Sequence, residues 1–412
     1  MSNTVLKSDV AQSVTAIDVV PPKYDGEVLD VHVVILNNYL RVHHAVSYVE
    51  LAKRVRKLTV LISVSMEPNK DWDAQWMGLD VRVQKNWMFT KKWKHSKGFS
   101  EDNYIHLPVD TVKQLKQLKP DIVFSYEMGV RTLLSGWFRR WNRSVPLVMV
   151  GNMSQGIEQE RNFSRRFLRG IVRRMVDYCT YNGPSCKRYL ESLGMPDEKL
   201  HHLPYCIDPE VVDAELRVPV PSDKPRTLLY SGGIIPRKGV VEFTDALKKW
   251  CQVNPEREVL FQLAGTGSDA EKVVEKEGGN LKVELLGDLD HATLRAATRA
   301  ADVSVYPTFA DEWGLVPIEA LASGIPVLGS FYAQSVETVV KDGHNGWTFR
   351  TDDVDSVLKA IDAAMACSNK QLADMQDACR QSVAHITPAA TAECFAEVIR
   401  HACSKVGKLK AY

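Results

Sequence analysis

What this sequence lacks narrows its class before any motif is read. No stretch reaches the roughly 18 apolar residues of a membrane-spanning helix, so no spanning helix is expected. No basic segment followed by a long apolar run opens the chain, so a secretory leader is not expected either. The eight cysteines (Cys179, Cys186, Cys206, Cys251, Cys367, Cys379, Cys394 and Cys403) form no CxxC pair, and none stands with histidines at zinc-ligand spacing. Scattered thiols in a long chain read as reduced core residues of a cytosolic protein. Charge of one sign is not in excess: 52 basic against 51 acidic residues leave +1, which excludes a global pull toward nucleic acid. Any attraction to anions is then local. The expected place is the cytoplasm, at most peripherally on the inner face of the cell membrane.

A chain of 412 residues exceeds one ordinary core and points to two α/β domains. Residues 1–27 are polar, contain Pro21-Pro22 and read as a flexible arm. Apolar runs at Val31–Leu36, Thr59–Val64, Asp121–Ser125 and Val145–Val150 read as strands, with helical stretches at Val42–Arg56 and Thr111–Leu118 between them. A proline-punctuated linker is expected over 219–226. The alternation then resumes. Strands are expected at Thr227–Tyr230, Val259–Leu263, Val283–Leu286, Val303–Tyr306 and Val327-Leu328, with helices at Val240–Trp250 and Pro317–Ala322. Strands alternating with helices imply parallel sheets covered on both faces. The expected fold is α/β: doubly wound domains at 28–218 and 227–385, facing each other across a cleft, then a C-terminal helix and basic tail (386–412) that can return to the N-terminal domain.

Four segments of the second half carry candidate chemistry. Ser231-Gly232-Gly233-Ile234-Ile235-Pro236-Arg237-Lys238-Gly239 joins a strand to a helix. Its glycines let the backbone approach a ligand, the helix start offers free N–H groups, and Arg237 and Lys238 supply charge suited to a diphosphate. The same stretch also fits a plain βα turn with solvated basic residues. Gly265-Thr266-Gly267 and Leu286-Gly287-Asp288 end successive strands, where open α/β sheets bind ligands. The fourth segment, Asp311 to Val327, opens a helix near Pro317. It places Asp311 in the preceding loop and Glu319 in the early turns, two carboxylates able to accept sugar hydroxyls. The amides near Gly314, Leu315 and Val316 can face a phosphate. An amphipathic helix with an acid complementing its dipole is the structural alternative.

This last segment resembles the E-x7-E signature of retaining GT-B glycosyltransferases of the GT4-like group. The likeness runs from about Thr227 to Ile361 through Pro236–Gly239, Gly265-x-Gly267, Gly314 to Ala320, Gly324-x-Pro326-Val327 and Asp342-Gly343-x-Asn345-Gly346. The N-terminal half is less similar, chiefly at Pro120–Val123 and Pro204–Asp208. The resemblance implies a GT-B fold and metal-independent, retaining transfer from a nucleotide diphosphate sugar (base unknown, UDP or GDP) to a glycan or lipid-linked acceptor. Surface polysaccharide or glycoconjugate biosynthesis is the implied setting. Lys238 and Arg237 would neutralise the leaving diphosphate, Asp311 would hold the sugar and Glu319 the ribose. Gly232, Gly233, Gly265, Gly267, Leu286 and Gly287 would border the nucleotide, and Gly314, Leu315 and Val316 the phosphate and sugar. The resemblance also implies no metal and no tightly bound cofactor.

Three departures stand out. Aspartate (Asp311) replaces the usual first glutamate, unless Glu312 serves. Gly233 stands where an arginine is usual. Asn37-Asn38 replaces a glycine pair, and Ser125-Tyr126-Glu127 stands where relatives place a histidine. Asn38, His43, His44 and Glu127 are the acceptor-side candidates. Two other jobs fit the same fold: a sugar-nucleotide epimerase, and a non-catalytic relative that binds nucleotide or glycan. A dinucleotide oxidoreductase is disfavoured, because no GxGxxG follows Val31–Leu36.

Two basic-aromatic stretches lie in the acceptor half. From Asp71 to His106, Trp72, Trp76, Trp87, Phe89, Trp93 and Phe99 interleave with Lys85, Lys91, Lys92, Lys94 and Lys97. This reads as a loop that binds an anionic membrane or a sugar, or whose tryptophans complete the core. In the second, Phe163, Phe167, Ile171 and Met175 recur at helical spacing with arginines on the remaining face. Such a helix can lie on an anionic surface or pack its apolar face inward.

Overall fold

The structure, a computed structural model, describes residues 26–66, 76–95, 98–158, 163–209 and 225–409. Most of the expected arm (1–27) and linker (219–226), together with Trp72 and Lys97, lie outside the described residues. The described residues form two compact units. Unit 1 is drawn from Met1–His95, Ser100–Cys206 and Ile386–Tyr412, and unit 2 from Ile207–His385 with Ser96–Phe99.

Unit 1 carries β1 (Leu29–Asn37), β2 (Val55–Ile62), β3 (Asp80–Val83), β4 (Asn86–Lys94), β5 (Ser100–Pro108), β6 (Ile122–Tyr126), β7 (Leu147–Gly151), β8 (Tyr178–Tyr181) and β9 (Leu200–His202). Seven of these pair in the order β3-β2-β1-β6-β7-β8-β9, all parallel. Helices on both faces explain why Val31 to Leu36 is apolar without alternation: every residue of that run is buried, His32 being its one polar member. The helix Pro388–Ser404 belongs to this unit. Thr387 caps it by accepting from Ala390 N at 3.1 Å. Its Phe395 ring lies 5.2 Å from Phe124 and 5.9 Å from Tyr48, a burial that contributes about 2–3 kcal/mol.

Two sequence expectations are corrected in unit 1. The aromatic-basic stretch is not a loop: most of its described part is β3 and the antiparallel hairpin β4–β5. Trp87 and Phe89 point outward at 58% and 44% exposure, whereas Trp76 packs against the core as the core-completing alternative expects. The expected stripe on the helix Phe163–Met175 is also broken. Phe167 is exposed, whereas Arg169 is buried between the Glu158 carboxylate and the Tyr189 hydroxyl. A buried carboxylate needs a cation, and that requirement outranks the apolar spacing of the helix.

Unit 2 carries β10 (Arg226–Ser231), β11 (Val259–Ala264), β12 (Leu281–Gly287), β13 (Val303–Tyr306), β14 (Val327–Ser330) and β15 (Gly346–Phe349) in the order β12-β11-β10-β13-β14-β15. All pairings are parallel. This is the doubly wound dinucleotide-fold order, and it reverses between β10 and β13; in unit 1 the reversal falls between β1 and β6. Ligands of such sheets bind beyond the carboxyl ends of the strands at that reversal. Both units are Rossmann-like.

Candidate donor site

The chain leaves β10 at Ser231, makes a short turn over Pro236–Lys238 and enters the helix Val240–Val253. The turn is tied to the segment after β13, since Phe309 N donates to Arg237 O at 2.9 Å. The second glycine turn locks the first in place. A Cβ at Gly265 would stand 2.1 Å from Gly232 O, and one at Gly267 2.2 Å from Ile234 O. Both glycines also have positive φ (138° and 157°), so no side chain fits either position. Gly265 N in turn donates to Gly287 O at 2.7 Å, with Leu286 half-buried beside it. Gly232, Gly233, Gly265, Gly267, Leu286 and Gly287 thus gather at one end of the sheet.

The cations and the first carboxylate meet across the reversal. Lys238 Nζ donates to Asp311 Oδ2 and, at 2.8 Å, to the Tyr306 hydroxyl, which itself donates to the same Oδ2 at 2.6 Å. Arg237 Nη1 lies 3.5 Å from that oxygen and donates to Ala310 O at 3.0 Å. Burial opposes ionisation of Asp311, but the charges of Lys238 and Arg237 outweigh it and hold the carboxyl well below the usual range. Asp311 is thus a carboxylate that meets Lys238 directly. Its Oδ1 accepts no hydrogen bond among the described residues.

Gly314, at φ 88°, precedes the helix Leu315–Ala322, in which Leu315 and Val316 form the first turn. A Cβ on Gly314 would meet Tyr306 Cε1 at 2.9 Å and Ser335 Oγ at 3.2 Å, so the loop folds directly onto the tyrosine ring. Glu319 is the fifth residue of that helix and is half-buried. Burial, then the charge of Asp208, push its carboxyl up to about 7. Ser323 Oγ donates to the Glu319 backbone carbonyl at 2.9 Å, but the Glu319 carboxylate accepts no hydrogen bond among the described residues, which leaves it suited to ligand hydroxyls. Sequence reasoning missed Tyr306, Ser335 and Asp208. A tyrosine ending a strand just before the signature loop was the available signal for the first.

In unit 1 the acceptor-side candidates cluster at the other reversal, beyond β1 and β6. Asn37 Nδ2 lies 3.1 Å from His44 Nδ1, and Asn38 accepts from the guanidinium of Arg131. The His43 and His44 rings stand 4.3 Å apart beside Tyr126 and Tyr205. Burial, reinforced by the Arg41 charge, pushes His43 down to about 3, and burial also holds His44 well below its ordinary value. Both are neutral at pH 7. They line a small cavity of about 10 Å³, room for about one water. Glu127 alone of the four is exposed, and it holds a left-handed backbone (φ 66°), a strain that non-glycine residues rarely carry.

Among the described residues no group of three or more His, Cys, Asp or Glu is placed to hold a metal ion, and no helix is long and apolar enough to cross a membrane.

Comparison with known proteins places this arrangement. Residues 212–382 match the model of the family described as glycosyl transferases group 1. A phosphatidyl-myo-inositol mannosyltransferase of Mycolicibacterium smegmatis is 34% identical over 140 residues, 33% of this chain and 35% of that protein. The match therefore spans about a third of that relative's length. Among solved structures, sucrose-phosphate synthase from Thermosynechococcus elongatus superposes with a TM-score of 0.64 at 17% identity, over 90% of this chain and 98% of that one. Anabaena HepE in complex with UDP gives 0.67 at 15% identity, over 90% and 100%. These structural matches show the fold, which is GT-B. The likeness to the glycosyl transferases group 1 family is carried by residues 212–382, which fall within the second unit.

Proposed function

We propose that this protein is a metal-independent, retaining glycosyltransferase whose unit 2 binds a nucleotide diphosphate sugar. The observation that carries the proposal is the gathering of Lys238, Arg237 and Asp311 at the strand-order reversal, beside the Gly314–Val316 helix start. The bond that breaks joins the anomeric carbon to a diphosphate oxygen, and charge builds on that oxygen. Lys238 and Arg237 stabilise it there, a contribution of about 2.7–4 kcal/mol for one well-placed donor. Asp311 keeps Oδ1 for a hydroxyl of the transferred sugar. Glu319 accepts from the ribose, the amides of Leu315 and Val316 face the phosphates, and the glycine turns through Gly265, Gly267 and Gly287 border the base.

UDP or GDP suits this site, and the UDP bound to HepE supports the former. Acceptor binding falls to unit 1, where Glu127 is the exposed polar group at the reversal. The mannosyltransferase relative acts, by its name, on a phosphatidyl-inositol, which supports a lipid-linked acceptor. A glycan acceptor fits the same chemistry.

The test is thermal stability of the purified protein against UDP, GDP, ADP and their sugar conjugates. A nucleotide at 100 times its dissociation constant stabilises by about 2.7 kcal/mol, readily seen as a raised melting temperature. A response to one base family identifies the donor. No response to any of them removes the donor site and with it the proposal.

A further inference from the structure

The helix Val130–Trp141 of unit 1 packs inward on β6 and β7 and sideways on the helix Phe163–Met175, with Gly136 against Met175. Its outer face is unlike an ordinary solvated surface. Trp137 and Trp141, 55% and 71% exposed, stand one helical turn apart with exposed Arg140 on the same face. Arg139 is held by Asp177 at 2.8 and 2.9 Å. Arg140 and Arg143 make no ion pair among the described residues, and neither does the exposed Arg174 on the neighbouring helix.

The local charge is one-sided although the chain as a whole is balanced. Met128 to Ile157 contains four arginines and no acidic residue, and Phe163 to Met175 five arginines and none. Indoles that serve no core contact prefer the headgroup level of a bilayer, and unpaired guanidinium groups there attract anionic lipid. We propose that this face, Trp137 and Trp141 framed by Arg140, Arg143 and Arg174, seats the protein on an anionic membrane surface. It deepens the lipid-linked acceptor reading above, yet its test needs neither donor nor acceptor.

The full chain is sedimented with vesicles of phosphatidylcholine alone and of phosphatidylcholine mixed with phosphatidylglycerol. The wild type is expected to bind the anionic vesicles, to bind less as salt rises, and to ignore the neutral ones. Arg140→Glu with Arg143→Glu lowers anionic-vesicle affinity about tenfold or more. Trp137→Ser with Trp141→Ser lowers it as well, and both double variants keep the wild-type melting temperature and its response to UDP. Four outcomes overturn the proposal: no vesicle binding, binding unchanged in both variants, retention of duplex DNA but not vesicles, or a dimer that the tryptophan variant converts to monomer. No response to UDP, GDP, ADP or their sugar conjugates, with intact vesicle binding, would count against the donor reading alone.

Discussion

The Tyr306 hydroxyl donates to Asp311 Oδ2 at 2.6 Å while accepting from Lys238 Nζ at 2.8 Å. The end of β13 thereby orients the cation and carboxylate assigned to the donor. Because three groups converge on one carboxylate oxygen, Lys238 is pre-positioned by the protein before any diphosphate arrives. Tyr306 also lies under the ammonium, with its ring centroid 4.9 Å away.

Tyr306→Phe keeps the ring and removes both hydrogen bonds. Turnover is expected to fall about tenfold, the cost of roughly one net hydrogen bond at the transition state. Nucleotide affinity should change much less. Steady-state kinetics beside a nucleotide titration separates the two effects, and an equal loss in both would assign Tyr306 to ground-state binding.

Lys238→Ala should remove most turnover and leave the fold intact. Asp311 is held below its ordinary value, so its contribution to stability is present above the unfolded carboxylate pKa, about 3.9, and is lost as pH falls well below that. With Lys238 gone, Arg237 remains 3.5 Å away but the main opposing charge is absent. Acid unfolding of the variant should therefore begin at higher pH than in wild type, with about 1–3 kcal/mol lost at neutral pH. Denaturant curves at several pH values read both.

Glu319 runs the other way. Its carboxyl, raised to about 7, favours the folded state while protonated, a gain present below the ordinary value near 4.5 and lost as pH rises through 7. Hydroxyl donors bind the ionised form. Nucleotide affinity should consequently strengthen as pH rises through about 7 and level off above it. Calorimetric titration across that range should show the slope in wild type and a flat, weaker profile in Glu319→Gln.

The two kinds of glycine in the site should separate cleanly. Gly267→Ala forces a Cβ to 2.2 Å from Ile234 O at a φ of 157°, and unit 2 should lose several kcal/mol or fail to fold. Gly233→Ala meets nothing nearer than Thr266 O at 4.0 Å, and its stability should match wild type. Melting temperatures of the two variants decide it.

Much of the framework was legible from residue order alone. The runs Val31–Leu36 and Val303–Tyr306 are too apolar and too short for anything but strands buried on both faces, and Thr111–Leu118 reads directly as a helix. The glycine turns were visible because only glycine tolerates such close backbone approach. The hairpin β4–β5 was not, since lysines and exposed aromatics share its two faces and blur the period of two. Nor was the inward turn of Arg169, which depends on where Glu158 lies.

By itself, the sequence determined the alternation of strands and helices, the family likeness of its second unit, and which charged residues stand near strand ends. Only the tertiary structure decided which of those residues meet. Lys238 and Tyr306 are 68 positions apart, and Lys238 and Asp311 are 73. They touch because β13 pairs directly with β10 while β11 and β12 are laid on the other side. That strand order comes from the packing of helices on both faces of a twisted sheet, a non-local choice that spacing along the chain does not record.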